Sequence, residues 1–344
     1  MSDIYEVDGM CVYSLQPKLH ERAFMLPFLP TYYLLPEINV PVISWVLQRK
    51  IAPIADDVEL IHNIRIGREH LSWASYKLAR KKGIPFFITP NFSPRMQTFI
   101  GRFVLRNFFA LLRRADGVFV FTEEEKQGML NLGVPEDRLC LIGVGPLLSE
   151  TADPQGFRRS YGINGPMVLF LGQKLPYKGF HTLLSAASII WQRYPDVYFV
   201  FMGPHYGGSK EILSQYNDPR IIDIPAVPPF DPLKSSALAA CTVLAVPSRQ
   251  EGIGGVYIEA WTLGKPVIAC DIPFVRTVVE DGRDGFLIPQ DPRILADRII
   301  WLLRHPEEAQ RMGEYGRDKV RRRYSWDVIV RTIEDYYAKA IYSG

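Results

Sequence analysis

The chain has 344 residues, 47% hydrophobic and 22% charged, a globular composition long enough for two domains. Four scattered cysteines (Cys11, Cys140, Cys241, Cys270) without a CxxC exclude a disulfide scaffold, and neither they nor the six histidines have the spacing of a zinc site. A net charge of +3 says little by itself, and no nucleic-acid partner is expected.

Residues 4–7 and 10–15 flank Asp8-Gly9 and read as a hairpin. The apolar region 23–47 is broken by Pro27, Pro30, Pro36 and Pro41, which excludes a membrane-spanning helix there. A helix is expected over 42–51 and a strand over 58–62. A second, amphipathic helix over 68–82 is stopped by Gly83, and a strand follows over 85–89. Residues 95–114 place Phe99, Phe103, Phe108 and Leu112 against Arg102, Arg106 and Arg113 at helical spacing. That pattern suits either a core-packed helix or one lying on a membrane surface. Between residues 60 and 115, eleven Lys or Arg stand against one acid, Glu69. The surplus is read as solvated helix faces, or as a surface for anionic lipid headgroups or an anionic carrier substrate. A strand is expected over 117–121, a helix over 123–132 capped by Thr122 with Glu125, and a strand over 139–144 before a linker at 145–153.

The second half alternates strand and helix more plainly. Strands are expected at 167–171, 197–202, 220–224, 241–246, 266–269 and 286–289. Helices are expected from 179 to 193 and at 231–240, 256–263, 274–280, 291–303, 306–324 and from Ser325 to about 340. Alternation of this kind makes a parallel sheet covered by helices. Between the strands at 241–246 and 266–269 lies a glycine turn, Gly252, Gly254 and Gly255, that opens a helix. Its unpaired N–H groups and the positive end of its dipole suit a phosphate. Glu251 precedes the turn and Glu259 lies eight residues on, where a ribose or a sugar would offer hydroxyls to carboxylates. Taken by spacing alone, they also fit a loop charge and a solvated helix residue.

The stretch PSRQEGIGGVYIEAWTLGKPVIACD, 247–271, resembles the E-x7-E signature of retaining glycosyltransferases of the GT-B fold, family 4 (group 1). The likeness runs from about residue 168 to 289. It implies two doubly wound Rossmann-like domains, at 1–148 and 149–325, with a terminal helix, 326–344, crossing back to the first. It also implies transfer of a sugar from a nucleotide-diphosphate donor, UDP or GDP, to a sugar, lipid-linked or other hydroxyl acceptor, with no metal and no cofactor. Glu259 would bind the ribose and Glu251 the donor sugar. The backbone of Gly252, Ile253, Gly254, Gly255 and Val256 would orient sugar and diphosphate. In the pattern G-R-x4-K-G, Gly172 and Lys178 match, but Gln173 takes the arginine position, and Lys174 is expected to supply the lost charge. TPNFSP at 89–94 resembles TPHFHP, with Asn91 where the family has a cleft histidine. An amide there can hydrogen-bond but cannot carry a proton.

EVDGMCVYSL at the start resembles a segment that follows a first strand and glycine loop. The N-terminal domain is therefore expected to lack both, or to receive that strand from a second chain. A cytoplasmic protein, peripheral on the inner face of a membrane, follows from the same reading. So do two alternatives: an inactive nucleotide-sugar-binding homologue, and a subunit completed by a partner.

Overall fold

The computed structural model describes residues 4–16, 18–28, 35–64, 69–91, 103–252 and 254–342. The chain divides into two compact units, Met1–Ile142 with Thr332–Gly344, and Gly143–Arg331.

The first unit opens with the hairpin β1 (Ile4–Val7) and β2 (Met10–Tyr13). Asp8 and Gly9 both take positive φ, 50° and 78°, as a tight two-residue turn requires. Helix α1 (Leu19–Met25) leads to α2 (Pro36–Ile51), which begins earlier than expected because Pro36 occupies its first turn, where a missing N–H costs nothing. Val40, Ile43, Leu47 and Ile51 of α2 pack on Ala74 and Leu78 of α3 (His70–Lys82).

Strands β3 (Ile61–Ile64), β4 (Phe86–Thr89), β5 (Gly117–Val120) and β6 (Leu139–Leu141) form a parallel sheet in that order. β3 starts three residues later than expected, at the point where Ile61 N–H donates a first ladder bond to Pro85 O. Between these strands lie α4 (Arg106–Leu112) and α5 (Glu123–Asn131). Of the expected basic helix at 95–114, residues 95–102 lie outside the described residues. The remainder buries Phe108, Phe109, Leu111 and Leu112, so this part is core-packed. The charge of the basic run 60–115 is also partly met from outside it: Arg106 pairs with Glu37, Arg80 with Asp116 and Lys82 with Asp56.

The second unit is built on a parallel sheet ordered β12-β11-β10-β7-β8-β9. Helix α6 (Pro154–Ser160) precedes β7 (Met167–Leu171), α7 (Phe180–Trp191), β8 (Tyr198–Met202), α8 (Ser209–Ser214) and β9 (Ile221–Ile224). The chain then crosses β7 by α9 (Pro232–Ala240) into β10 (Val243–Val246), α10 (Gly255–Thr262), β11 (Val267–Cys270), α11 (Pro273–Arg276) and β12 (Gly285–Ile288). Helices α12 (Pro292–Arg304), α13 (Pro306–Arg323) and α14 (Trp326–Tyr342) complete the order. The helix expected over 274–280 stops at Arg276. Beyond it Val278 and Val279 N–H still bond Val275 O, and Glu280 N–H is the first to leave helical pairing, donating to Asp284 Oδ1.

β7 is first in sequence and central in the sheet, with β8 and β9 laid to one side and β10, β11 and β12 to the other. The order therefore reverses between β7 and β10, and open α/β sheets bind ligands in the crevice at the carboxyl ends of such strands. The core beneath that crevice is dense: Phe170, Val246, Tyr257 and Trp261 are 1% exposed or less.

Candidate functional site

Two loops meet at the reversal. The first leaves β7 through Gly172 and ends in a short 3-10 turn, Pro176–Lys178, before Gly179 caps α7 in a left-handed conformation. The second leaves β10 through Pro247 and Ser248. Arg249 N–H donates to Tyr177 O, and a Cβ on Gly179 would lie 2.5 Å from Pro247 O, so only glycine allows the loops this close. The contact brings Lys178 Nζ to 2.9 Å from Glu251 Oε2. The Glu251 side chain is 7% exposed, and its other oxygen, Oε1, is buried with no hydrogen-bond partner among the described residues. An unpaired carboxylate oxygen held out of water is costly, and a hydroxyl donor placed there satisfies it.

Beside Glu251, Gly254 (φ 66°) caps α10 without a side-chain bond. Tyr257 N–H bonds back to Gly254 O, and among the described residues no side chain caps the Gly255 and Val256 N–H groups, which leaves these two for an anion. A Cβ added to Gly252 or Gly255 would meet nothing within 4 Å, so open space lies against this backbone. Ile253 lies outside the described residues, and Val256 is half-buried in the first turn.

One turn on, Glu259 is 6% exposed and its Oε1 accepts from Lys234 Nζ of α9 at 2.8 Å. Burial raises the Glu259 carboxyl above the usual carboxylate range, opposed by Lys234 and by the Leu147 N–H. The segment that carries Leu147 is itself tied to α9, with Ser149 N–H on Ser235 Oγ and Asp153 N–H on Ser236 Oγ.

Lys174 does not do what the sequence suggested. Its side chain is fully buried, and Nζ donates to Gly203 O at 2.7 Å and Ile224 O at 2.8 Å and pairs with Asp223 at 2.7 Å. His205 reaches the same carboxylate at 3.1 Å. Burial lowers the Lys174 ammonium below its usual range, against the pull of Asp223. This lysine fastens the ends of β7, β8 and β9 together and is not open to a phosphate. Gln173 lies on the same loop, where its Oε1 accepts from Tyr177 OH.

Lys178, Glu251, Glu259, Gly172, Gly252, Gly254, Gly255 and Val256 thus gather in the second unit around one crevice. Asn91 belongs to the first unit, just past β4, exposed and at φ 48°, a left-handed conformation that asparagine tolerates. Lys234 was not anticipated. The signal was available: Lys234, Ala237 and Leu238 share the buried face of α9, and a lysine on such a face needs an acid. Among the described residues, no three His, Cys, Asp or Glu side chains converge as metal ligands, and no helix is long and apolar enough to cross a membrane.

The fold and crevice define the GT-B class of two Rossmann-like units. A sucrose-phosphate synthase from Thermosynechococcus elongatus is similar in structure over 99% of this chain and 86% of its own, with a TM-score of 0.74 and 22% identity. Anabaena HepE, solved with UDP and glucose, matches 85% of this chain and 80% of its own, with a TM-score of 0.68 and 20% identity. Residues 156–319 match the family model of the group 1 glycosyl transferases. Among curated relatives, a phosphatidyl-myo-inositol mannosyltransferase of Mycobacterium tuberculosis is 33% identical over 196 residues, 54% of this chain and 50% of that protein. A D-inositol 3-phosphate glycosyltransferase of Corynebacterium urealyticum is 31% identical over 192 residues, 52% of this chain and 45% of that protein. The chain spans about half the length of the curated relatives it matches.

Proposed function

We propose that the protein is a retaining glycosyltransferase that moves a sugar from a nucleotide-diphosphate donor to an acceptor hydroxyl. The observation that carries this reading is Glu251 Oε1, buried and without a hydrogen-bond partner among the described residues, on a carboxylate that Lys178 holds just before the uncapped Gly255 and Val256 amides that open α10. In this assignment the donor's diphosphate lies on those amides and Lys178, and its sugar offers a hydroxyl to Glu251. As the diphosphate leaves, negative charge grows beside a fixed ammonium, which stabilises the transition state more than the ground state. Glu251 faces the positive character that develops on the sugar. The leaving diphosphate takes the acceptor proton, so no protein nucleophile is required. Glu259 receives the ribose hydroxyls. The acceptor is a sugar, a polyol or a lipid-linked hydroxyl, the classes to which the inositol-directed names of the relatives point.

The engagement of Lys174 supports a second reading, a weakly active or inactive nucleotide-sugar-binding homologue. With Gln173 beside it, Lys178 is left as the cation on the first loop. Donor turnover tests both. Release of nucleotide from UDP- or GDP-sugars, supplied with a panel of sugar, inositol and lipid acceptors, is expected for the wild type and lost in Glu251→Gln. Binding without release in the wild type would select the second reading. Flotation with anionic vesicles at low salt tests a membrane-linked acceptor, and a protein that stays at the bottom contradicts it.

A further inference from the structure

We propose that Lys234 is a positioning residue for the nucleotide's ribose, its ammonium serving as the countercharge that holds the buried Glu259 carboxylate ionised and aimed. This rests on the reading of the second unit as a nucleotide-sugar site.

Both side chains of the pair are 8% exposed, so water does not compensate either charge. Burying two ions usually adds little stability over an apolar pair of the same volume. A pair kept at the crevice is better explained by what the carboxylate must do there. Among the described residues, the partners Glu259 meets from the elements packed on it are Lys234 of α9 and the Leu147 N–H. Remove the ammonium, and burial favours the neutral acid. A protonated carboxyl accepts less well and presents a donor of its own, so ribose hydroxyls that donate to the carboxylate lose their acceptor. Lys234 acts on the nucleotide only through Glu259, and that is the testable content.

The experiment is titration calorimetry of the full chain with UDP and with GDP, from about pH 7 to pH 9. It compares wild type, Lys234→Met, Lys234→Arg, Glu259→Gln and the Lys234→Met/Glu259→Gln double variant. Affinity in the wild type and Lys234→Arg should change little with pH. Lys234→Met should bind about tenfold or more weakly near pH 7, the scale of one charge-assisted hydrogen bond, and recover as rising pH ionises Glu259. The double variant should bind as Glu259→Gln does. A Lys234→Met variant with wild-type affinity and a flat profile overturns the proposal. So does a double variant about tenfold weaker than Glu259→Gln, which would make Lys234 a direct contact. If Lys234→Met does not fold, the neutral double variant against Glu259→Gln still decides. A wild type that binds neither nucleotide overturns the underlying reading, and the assignment of Lys234 falls with it.

Discussion

Lys178 Nζ lies 2.9 Å from one oxygen of Glu251 and leaves the other oxygen buried and, among the described residues, unpartnered. A pair serving stability alone would be expected to satisfy both oxygens; this one holds an acceptor in reserve where two loops converge. Lys178→Ala strips the countercharge from a carboxylate that stays out of water. Transfer should fall by about 10²–10³-fold, as for loss of one preorganised electrostatic partner, with nucleotide release as the assay. A loss under threefold would remove Lys178 from the site.

Lys174 should behave differently. Lys174→Met leaves Gly203 O, Ile224 O and Asp223 without their shared donor. Stability should drop by about 2–4 kcal/mol, allowing for the partial exposure of Asp223, and denaturant unfolding measures it. Gln173→Arg makes the converse test. If the phosphates lack a cation, this change should raise transfer severalfold without altering the unfolding midpoint.

The glycines of the second loop separate structural from ligand requirements. Gly254→Ala puts a side chain at φ 66°, with its Cβ 3.0 Å from the Tyr257 ring, and should cost about 1–2 kcal/mol of stability. Gly255→Ala enters open space in a helical position and should be neutral or stabilising by up to about 1 kcal/mol. On the proposed placement of the phosphates against that space, nucleotide affinity should nevertheless fall. Unchanged affinity in Gly255→Ala would move the phosphates elsewhere.

His62 sets an acid limit on the first unit. It is hydrogen-bonded to Tyr337 OH and Thr89 Oγ1, and burial lowers its pKa from 6.5 to about 4. The folded state therefore prefers the neutral ring. The contribution is fully present above about pH 6.5 and is lost as pH falls toward 4, on the order of 2–3 kcal/mol in all. Melting of the wild type should drop through that window, and His62→Gln should flatten the curve. An identical slope in the variant would assign the acid loss to other groups.

Much of the second unit was legible in the sequence, because buried parallel strands are short apolar runs bounded by turn residues. β7 falls on the expected residues 167–171, and α9 begins one residue from its expected start. Glu251 and Glu259 were found through a resemblance; their spacing also fits two unrelated surface charges. What periodicity could not supply was partnership. Lys174 was expected to meet the donor's phosphates and Lys234 drew no expectation, yet each is consumed by an acid from another element, Asp223 and Glu259. The helix expected over 274–280 failed for a similar reason. Val278 and Val279 fit a helical stripe and still bond Val275 O, but Glu280 N–H is taken by the Asp284 side chain instead of a helical carbonyl.

The central claim is that the crevice of the second unit binds a nucleotide diphosphate. It is tested most directly by thermal unfolding with UDP, GDP, ADP or no ligand, alongside a Glu259→Ala control. At about a hundred times its dissociation constant a ligand stabilises by roughly 2.7 kcal/mol, which for units of this size is a rise of about 5–10 °C. The account predicts such a rise with one nucleotide and its loss in the control. No rise with any of the three, or a rise that the control retains in full, would contradict it.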